Sequence, residues 1–160
     1  MHLQFRRFAG CPACDLHLRE LARRHAEIEA LGIREAVVFH SPAEALRTHA
    51  GDLPFALVAD PEKRLYHEFG VETSWRALLS PAALTPLARV IGHGLAMVVR
   101  DRRPVPPLRP VGGRFGLPAD LLIDGNGQVL ASKYGEHLDD QWSADDLIAL
   151  ASSVGGGGRA

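Results

Sequence analysis

Hydrophobic and polar positions alternate between short apolar runs and longer amphipathic stretches. LQFRRF (residues 3–8) reads as a short strand, although Arg6 and Arg7 interrupt its alternation. From Pro12 to Leu31, Cys14, Leu18, Leu21, Ala22 and Ile28 share roughly one face at helical spacing, which predicts one helix closed by Gly32. Pro12 suits the first turn, where its missing N–H is no loss, and Asp15 and Glu20 lie toward the positive end. EAVVFH (35–40) is a buried-strand run. Ser41-Pro42 then opens a second helix, with Ser41 as cap and Glu44 at the capping-box position, ending at Gly51. PFALVADP (54–61) predicts a third strand and EKRLYHEFG a short helix. The order β, α, β, α, β, α favours a layered sheet with right-handed crossovers.

The middle of the chain carries a weaker pattern. Trp75 to Leu79 and Pro81 to Arg100 read as helices, the second strongly apolar (Leu84, Leu87, Val90, Ile91, Leu95, Met97, Val98) but weakened by Gly92 and Gly94. DRRPVPPLRPVGGRFGLP (101–118) holds five prolines and predicts a long loop. ADLLID (119–124), the Gly125-Asn126-Gly127 turn and QVLASKYG (128–135) predict a β-hairpin. Ser143 caps a last helix with Asp146 three residues on, and the Gly-rich residues 153–160 read as a flexible tail. The expectation is one domain over residues 1–152.

Composition narrows the function classes. The 160 residues carry a formal net charge of −1, so no global field recruits nucleic acid or an anionic membrane. The local run Arg100-Asp-Arg-Arg103 reads as a solvated helix end. No stretch approaches the ~20 apolar residues of a membrane span, and the amino terminus lacks the apolar core of a signal peptide. A cytoplasmic protein is expected. In a reducing compartment, the chain's only two cysteines, Cys11 and Cys14, read as catalytic, redox-sensing or metal-binding.

Their placement has physical consequences. A cysteine between a strand's end and a helix's start faces free backbone N–H groups and the positive helix end, both of which favour thiolate. The two-residue spacing lets the second sulfur reach the first across one turn, so a mixed disulfide on Cys11 can be resolved by Cys14. Cys14 lies on the buried stripe, which assigns attack to Cys11 and resolution to Cys14. Two inert buried cysteines are the bland alternative. Cys11, Cys14 and His17 are spaced by threes, but structural zinc wants a fourth ligand, and the eight histidines, without a spacing pattern, read as surface residues and turn partners.

A strand, Cys-Pro-x-Cys, a long helix and a strand, closed by proline, β-hairpin and helix, resembles the thioredoxin fold. FRRFAGCPACDLHLRELARR, LPFALVADPEKRLYHEFGVE and GLPADLLIDGNGQVLASKYGEH further resemble the peroxiredoxin-like branch, the alkyl hydroperoxide reductase and thiol-specific antioxidant group. The resemblance spans most of residues 5–137, with 73–115 poorly matched. It implies an α/β thioredoxin-like fold: a mixed central sheet flanked by helices, with a helical and loop insertion before the C-terminal hairpin and helix.

Two positions depart from the peroxiredoxin pattern. Phe8 stands where that group carries Thr or Ser, and Pro118 where it carries an arginine. A proline opening that strand is instead the thioredoxin habit, usually in cis, which implies that Leu117-Pro118 packs against Cys11 and shapes a substrate groove. Pro12 stiffens the cysteine turn. Arg7 and Arg114 are the arginines available to support a Cys11 thiolate, although each reads by itself as a surface residue. Tyr66 and Trp75 read as core aromatics. Many peroxiredoxin-like chains carry a β-hairpin before the cysteine strand, whereas Met1 here almost abuts that strand, and the expectation is an exposed sheet edge that would favour a homodimer.

Three functions are consistent with these readings. The first is a thiol–disulfide oxidoreductase acting on a protein or low-molecular-weight disulfide. The second is a thiol peroxidase reducing hydroperoxides through Cys11. The third is a redox-sensing or partner-binding module that docks through its apolar 81–100 segment. The first two need an external thiol reductant and no bound cofactor or metal, and none involves nucleic acid or membrane.

Overall fold

The computed structural model describes residues 1–71, 84–100, 104–105, 107, 109–111, 113, 116–137 and 139–155. Five strands, β1 (His2–Arg6), β2 (Glu35–Phe39), β3 (Ala56–Ala59), β4 (Ala119–Ile123) and β5 (Val129–Tyr134), form one sheet in the order β3-β2-β1-β4-β5. β1 pairs parallel with β2 and antiparallel with β4, so the sheet is mixed, and β3 continues the parallel half while β5 continues the antiparallel half. β1 is therefore the central strand, and the edges are β3 and β5. The helices are α1 (Pro12–Arg23), α2 (His25–Ala30), α3 (Ala43–Ala50), α4 (Arg64–Glu68), α5 (Leu84–Val99) and α6 (Ala144–Gly155).

Strand alternation separates two cores. Phe5, Val38, Ala119, Leu121 and Ile123 point to one face with Tyr66 and Val71. Val37, Phe39 and Leu122 point to the other, against Leu18, Leu21 and Ile28 of α1 and α2 and Trp142 and Leu147 beside and within α6. Tyr66 is a core aromatic, and its hydroxyl donates to the carbonyls of Arg6 and Val38. Trp75 lies outside the described residues.

The helix expected over 12–31 is broken at Arg24, whose ψ of 10° departs from helical geometry, so α1 and α2 are separate; Gly32 follows at φ +78°. Ser41 does not cap α3. That helix starts after Pro42 without a side-chain cap, and Ser41 Oγ accepts the Ala9 N–H (3.0 Å) instead. α5 runs unbroken through Gly92 and Gly94. The hairpin turn is held by Asp124 Oδ1, which accepts the N–H groups of Asn126 and Gln128 at 2.8 Å. Ser143 and Asp146 form the expected reciprocal cap. α6 continues to Gly155, into the stretch read as tail; residues 156–160 lie outside the described ones, as do 101–103 of the basic run.

The polar residues of β1 are not turned to solvent. His2, Gln4 and Arg6 are fully buried on the α1 side. Arg6 Nη2 is 2.7 Å from Asp120 Oδ1 and 2.8 Å from Gln4 Oε1, while its Nη1 donates to the carbonyl of Phe5 (3.1 Å). His2 Nε2 contacts the same Asp120 oxygen at 2.9 Å. A buried charge persists only when paired and hydrogen-bonded, and this network meets that condition across β1 and β4. Burial alone would raise the Asp120 pKa, but Arg6 and His2 outweigh it and hold the carboxylate well below its ordinary range. His2, His17 and His40 are buried, contrary to the reading of the histidines as surface residues.

Candidate active site

The end of β1 and the start of α1 build the site. The chain turns through Gly10 at φ +86°, a conformation that favours glycine, and a Cβ there would lie 3.0 Å from His49 Nδ1 on α3. The Cys11 N–H closes the turn on the Phe8 carbonyl (3.1 Å), and Ser41 holds the Ala9 N–H. Cys11 thereby becomes the N-cap of α1, Pro12 its first residue, and Cys14 lies on the first turn. Both cysteines are free thiols and both are buried, Cys11 to 1 % exposure and Cys14 to 4 %. Phe8 and Ala13 pack with them.

Arg7 does not behave as a surface arginine. Its Nη2 donates to Cys11 Sγ at 2.9 Å, and its guanidinium stands 5.9 Å from the Phe8 ring centroid. The two sulfurs titrate as one unit. The hydrogen bond from the Cys11 thiol, and after it the nearby Arg7 guanidinium, bring the Cys14 pKa down to about 6 against the cost of burial. Burial, then the adjoining Cys14 sulfur, push Cys11 well above the ordinary thiol range, with Arg7 acting in the opposite direction. One proton shared between two sulfurs beside a fixed cation is the result. The first ionisation of the pair falls near neutral pH and the second far above it.

Two elements close over the sulfurs. On the α3 side, a cavity of about 10 Å³, room for about one water, is lined by Gly10, Cys11, Cys14, Asp15, His49 and Leu53 among others. On the other side lies α5. Val90 packs on the sulfur cluster, His93 Nε2 bonds Asp15 Oδ2 at 2.8 Å, and a Cβ at Gly94 would meet Pro12 Cγ at 3.3 Å.

The predicted site residues thus divide. Arg7, Cys11, Pro12 and Cys14 come together. Leu117 and Pro118 line a cavity of about 300 Å³ with Gly70, Val71, Tyr134, Gly135 and Glu136, and the Pro118 carbonyl accepts the Gly135 N–H (2.9 Å). The Leu117–Pro118 bond is trans, correcting the cis expectation. The preceding Gly116 does approach the site, since a Cβ there would lie 3.5 Å from Arg7 Cγ. Arg114 lies outside the described residues. His49, Asp15, Val90, His93 and Gly94 were not read from the sequence as site residues. Asp15 carried a local signal, its position in the first turn beside the cysteines, whereas the others reach the site only through tertiary packing. Among the described residues, no group of three His, Cys, Asp or Glu side chains is placed to share a metal ion.

A family model described as AhpC/TSA antioxidant enzyme matches residues 20–137. The chain belongs to that family. The matched span begins after the cysteine pair. No curated protein sequence matches. Among solved structures, the chain is similar to a cysteine-to-serine mutant of peroxiredoxin 6 from Arenicola marina (12 % identity, TM-score 0.61), covering 96 % of this chain and 60 % of that one. A putative thiol:disulfide interchange protein DsbE from Chlorobium tepidum (17 % identity, TM-score 0.52) covers 97 % of this chain and 77 % of its own. A cysteine-to-serine mutant of peroxiredoxin Q from Xanthomonas campestris (12 % identity, TM-score 0.53) covers 98 % and 78 %. At these identities the likeness is one of fold: a mixed sheet flanked by helices, as in the thioredoxin-like proteins. The chain spans 60 % of the peroxiredoxin 6 chain.

Proposed function

We propose that the chain is a thiol-dependent oxidoreductase that cycles Cys11 and Cys14 between dithiol and disulfide. The observation that supports this reading is Arg7 Nη2 at 2.9 Å from Cys11 Sγ, with the Cys11 thiol donating to the Cys14 sulfur. The proton of the monoanionic pair passes along the bond between the sulfurs, so negative charge on Cys11 faces Arg7. With a hydroperoxide, Cys11 Sγ attacks the peroxide oxygen, the O–O bond breaks, and the departing alkoxide takes the Cys14 proton as an alcohol. Cys14 thiolate then attacks Cys11 Sγ, forming the S–S bond and expelling hydroxide. With a disulfide, Cys11 attacks one sulfur and releases a thiolate, which takes the Cys14 proton, and Cys14 expels the second thiolate. An external thiol returns the pair to the dithiol in either case and leaves as its own disulfide.

The family supports the peroxide cycle, and the Cys-Pro-x-Cys spacing at a helix start supports the disulfide cycle. Turnover with a dithiol reductant tests the proposal common to both. The wild type is expected to consume oxidant in proportion to reductant. Cys11→Ser is expected to abolish consumption, and Cys14→Ser to stop after one event at Cys11. Undiminished turnover in Cys11→Ser would overturn the reading.

A further inference from the structure

The site's accessibility separates these two cycles. A protein or aromatic disulfide must bring a sulfur in line with Cys11 Sγ, which requires open surface around the nucleophile. Cys11 and Cys14 have almost none. The α3 side leaves room for about one water, α5 closes the opposite side, and the residues of α5 divide between two faces. Val90, His93, Gly94 and Met97, at helical spacing, turn inward. Ile91, Leu95 and Val99, at 55 %, 63 % and 77 % exposure, turn outward. Gly94 lets the helix backbone settle on the Pro12 ring, as its built Cβ would stand only 3.3 and 3.4 Å from Pro12 Cγ and Cβ. His93 pins the same turn to Asp15, which Arg19 also holds at 3.3 Å. Arg19 in turn makes two 2.8 Å bonds to Asp52, beyond the end of α3. The clamp therefore extends from α5 across α1 to the segment after α3, over both sides of the cysteine turn.

We propose that α5 is the specificity element of this site, a size filter in which Val90, His93 and Gly94 admit an oxidant of a few heavy atoms and exclude a peptide-sized or aromatic disulfide. The inference rests on the proposed redox role of the cysteine pair and narrows its oxidant to a molecule of a few heavy atoms. The remaining space beside the sulfurs takes about one water, so a molecule with two reactive oxygens needs little additional room. A larger disulfide needs α5 displaced. The functional value is exclusion of competing thiol chemistry from a reactive thiolate, as closing elements provide elsewhere.

The test compares reagents of one chemistry and two sizes on the reduced protein. The cysteine thiolate attacks a sulfur of methyl methanethiosulfonate, expelling methanesulfinate, and of 5,5′-dithiobis(2-nitrobenzoate), expelling the aryl thiolate; hydrogen peroxide is run alongside. The variants are Gly94→Leu, which places a side chain against Pro12, and the milder His93→Ala, which removes the bond to Asp15. Circular dichroism and a denaturation midpoint confirm that each is folded. In the wild type, the small reagent is expected to react and the aromatic disulfide to lag far behind its rate with a free thiol. Both variants are expected to raise the aromatic reagent's rate by about tenfold or more while changing the small reagent's by less than about threefold. The filter is overturned if the aromatic disulfide reacts without hindrance in the wild type, or if a folded Gly94→Leu leaves the ratio unchanged. Peroxide failing throughout while methyl methanethiosulfonate reacts would instead exclude the peroxide cycle of the proposed function, and the filter would still be judged by the two sulfur reagents.

Discussion

Replacing Arg7 with methionine removes the guanidinium while keeping an unbranched side chain of similar reach beside Phe8. The lost interactions include the charge-assisted hydrogen bond to Cys11 Sγ at 2.9 Å, within a pair whose Cys14 sulfur the guanidinium also bonds. Such a bond is worth about 1.5–3 kcal/mol. At 1.36 kcal/mol per unit, the first ionisation of the pair is expected to rise by about 1–2 units. From about 6 it moves to about 7–8. At pH 7 the monoanionic fraction then falls from roughly nine-tenths to between about a half and a tenth. The assay is the pH dependence of thiolate absorbance, paired with the pH–rate profile for alkylation by iodoacetamide. Arg7→Lys, which keeps the charge but not the planar fork, is expected to fall between the two. A midpoint in Arg7→Met equal to that of the wild type would show that the guanidinium does not set this acidity and leave the S–H···S bond as its source.

Other consequences are measurable on the reduced protein. Asp120→Asn leaves the Arg6 guanidinium buried without its counter-charge and is expected to destabilise the fold by about 3–5 kcal/mol in chemical denaturation, because a broken buried pair costs more than an absent one. Gly10→Ala adds strain at φ +86° and presses on His49; a loss of about 1–3 kcal/mol is expected, with faster alkylation of the cysteines. Ser143→Ala removes the cap of α6 and is expected to cost about 0.5–2 kcal/mol, visible as a lower denaturation midpoint. Stability depends on pH with a definite sign. Cys14 falls from its ordinary 9.0 to about 6 on folding, so its contribution is complete above the ordinary value and is lost as pH falls through about 6. Cys11 shifts the other way and opposes it only above the ordinary thiol range. Wild-type stability is therefore expected to exceed that of Cys14→Ser by an amount that grows between about pH 6.5 and 8.5; a constant difference would contradict the shift.

The cysteine turn was legible because its causes are local. Pro12 at the first position and apolar residues at helical spacing each follow from adjacent residues, whereas Gly10 drew no reading from the sequence. The Ser143–Asp146 cap and the Gly125-Asn126-Gly127 hairpin were read in the same way. Arg7 and the polar face of β1 were misleading because a strand's alternation shows which residues share a face and not what covers it. His2, Gln4 and Arg6 look like a solvent face until Asp120, 114 residues beyond Arg6, supplies the acceptors. Ser41 shows the same limit at short range: its sequence position offers α3 a cap, and the tertiary structure uses its oxygen to hold Ala9. The seating of Gly94 on Pro12 has no local signal, since a glycine within an apolar run reads only as a weak helix position.

A single-turnover oxidation followed by peptide mapping tests the cysteine cycle directly. Reduced protein receives one equivalent of hydrogen peroxide, and the products are resolved by mass. Loss of two hydrogens and a disulfide joining Cys11 to Cys14 are expected, with Cys14→Ser instead retaining one oxygen on Cys11. An unmodified pair after exposure, or oxidation of Cys14 alone in the wild type, would contradict that cycle.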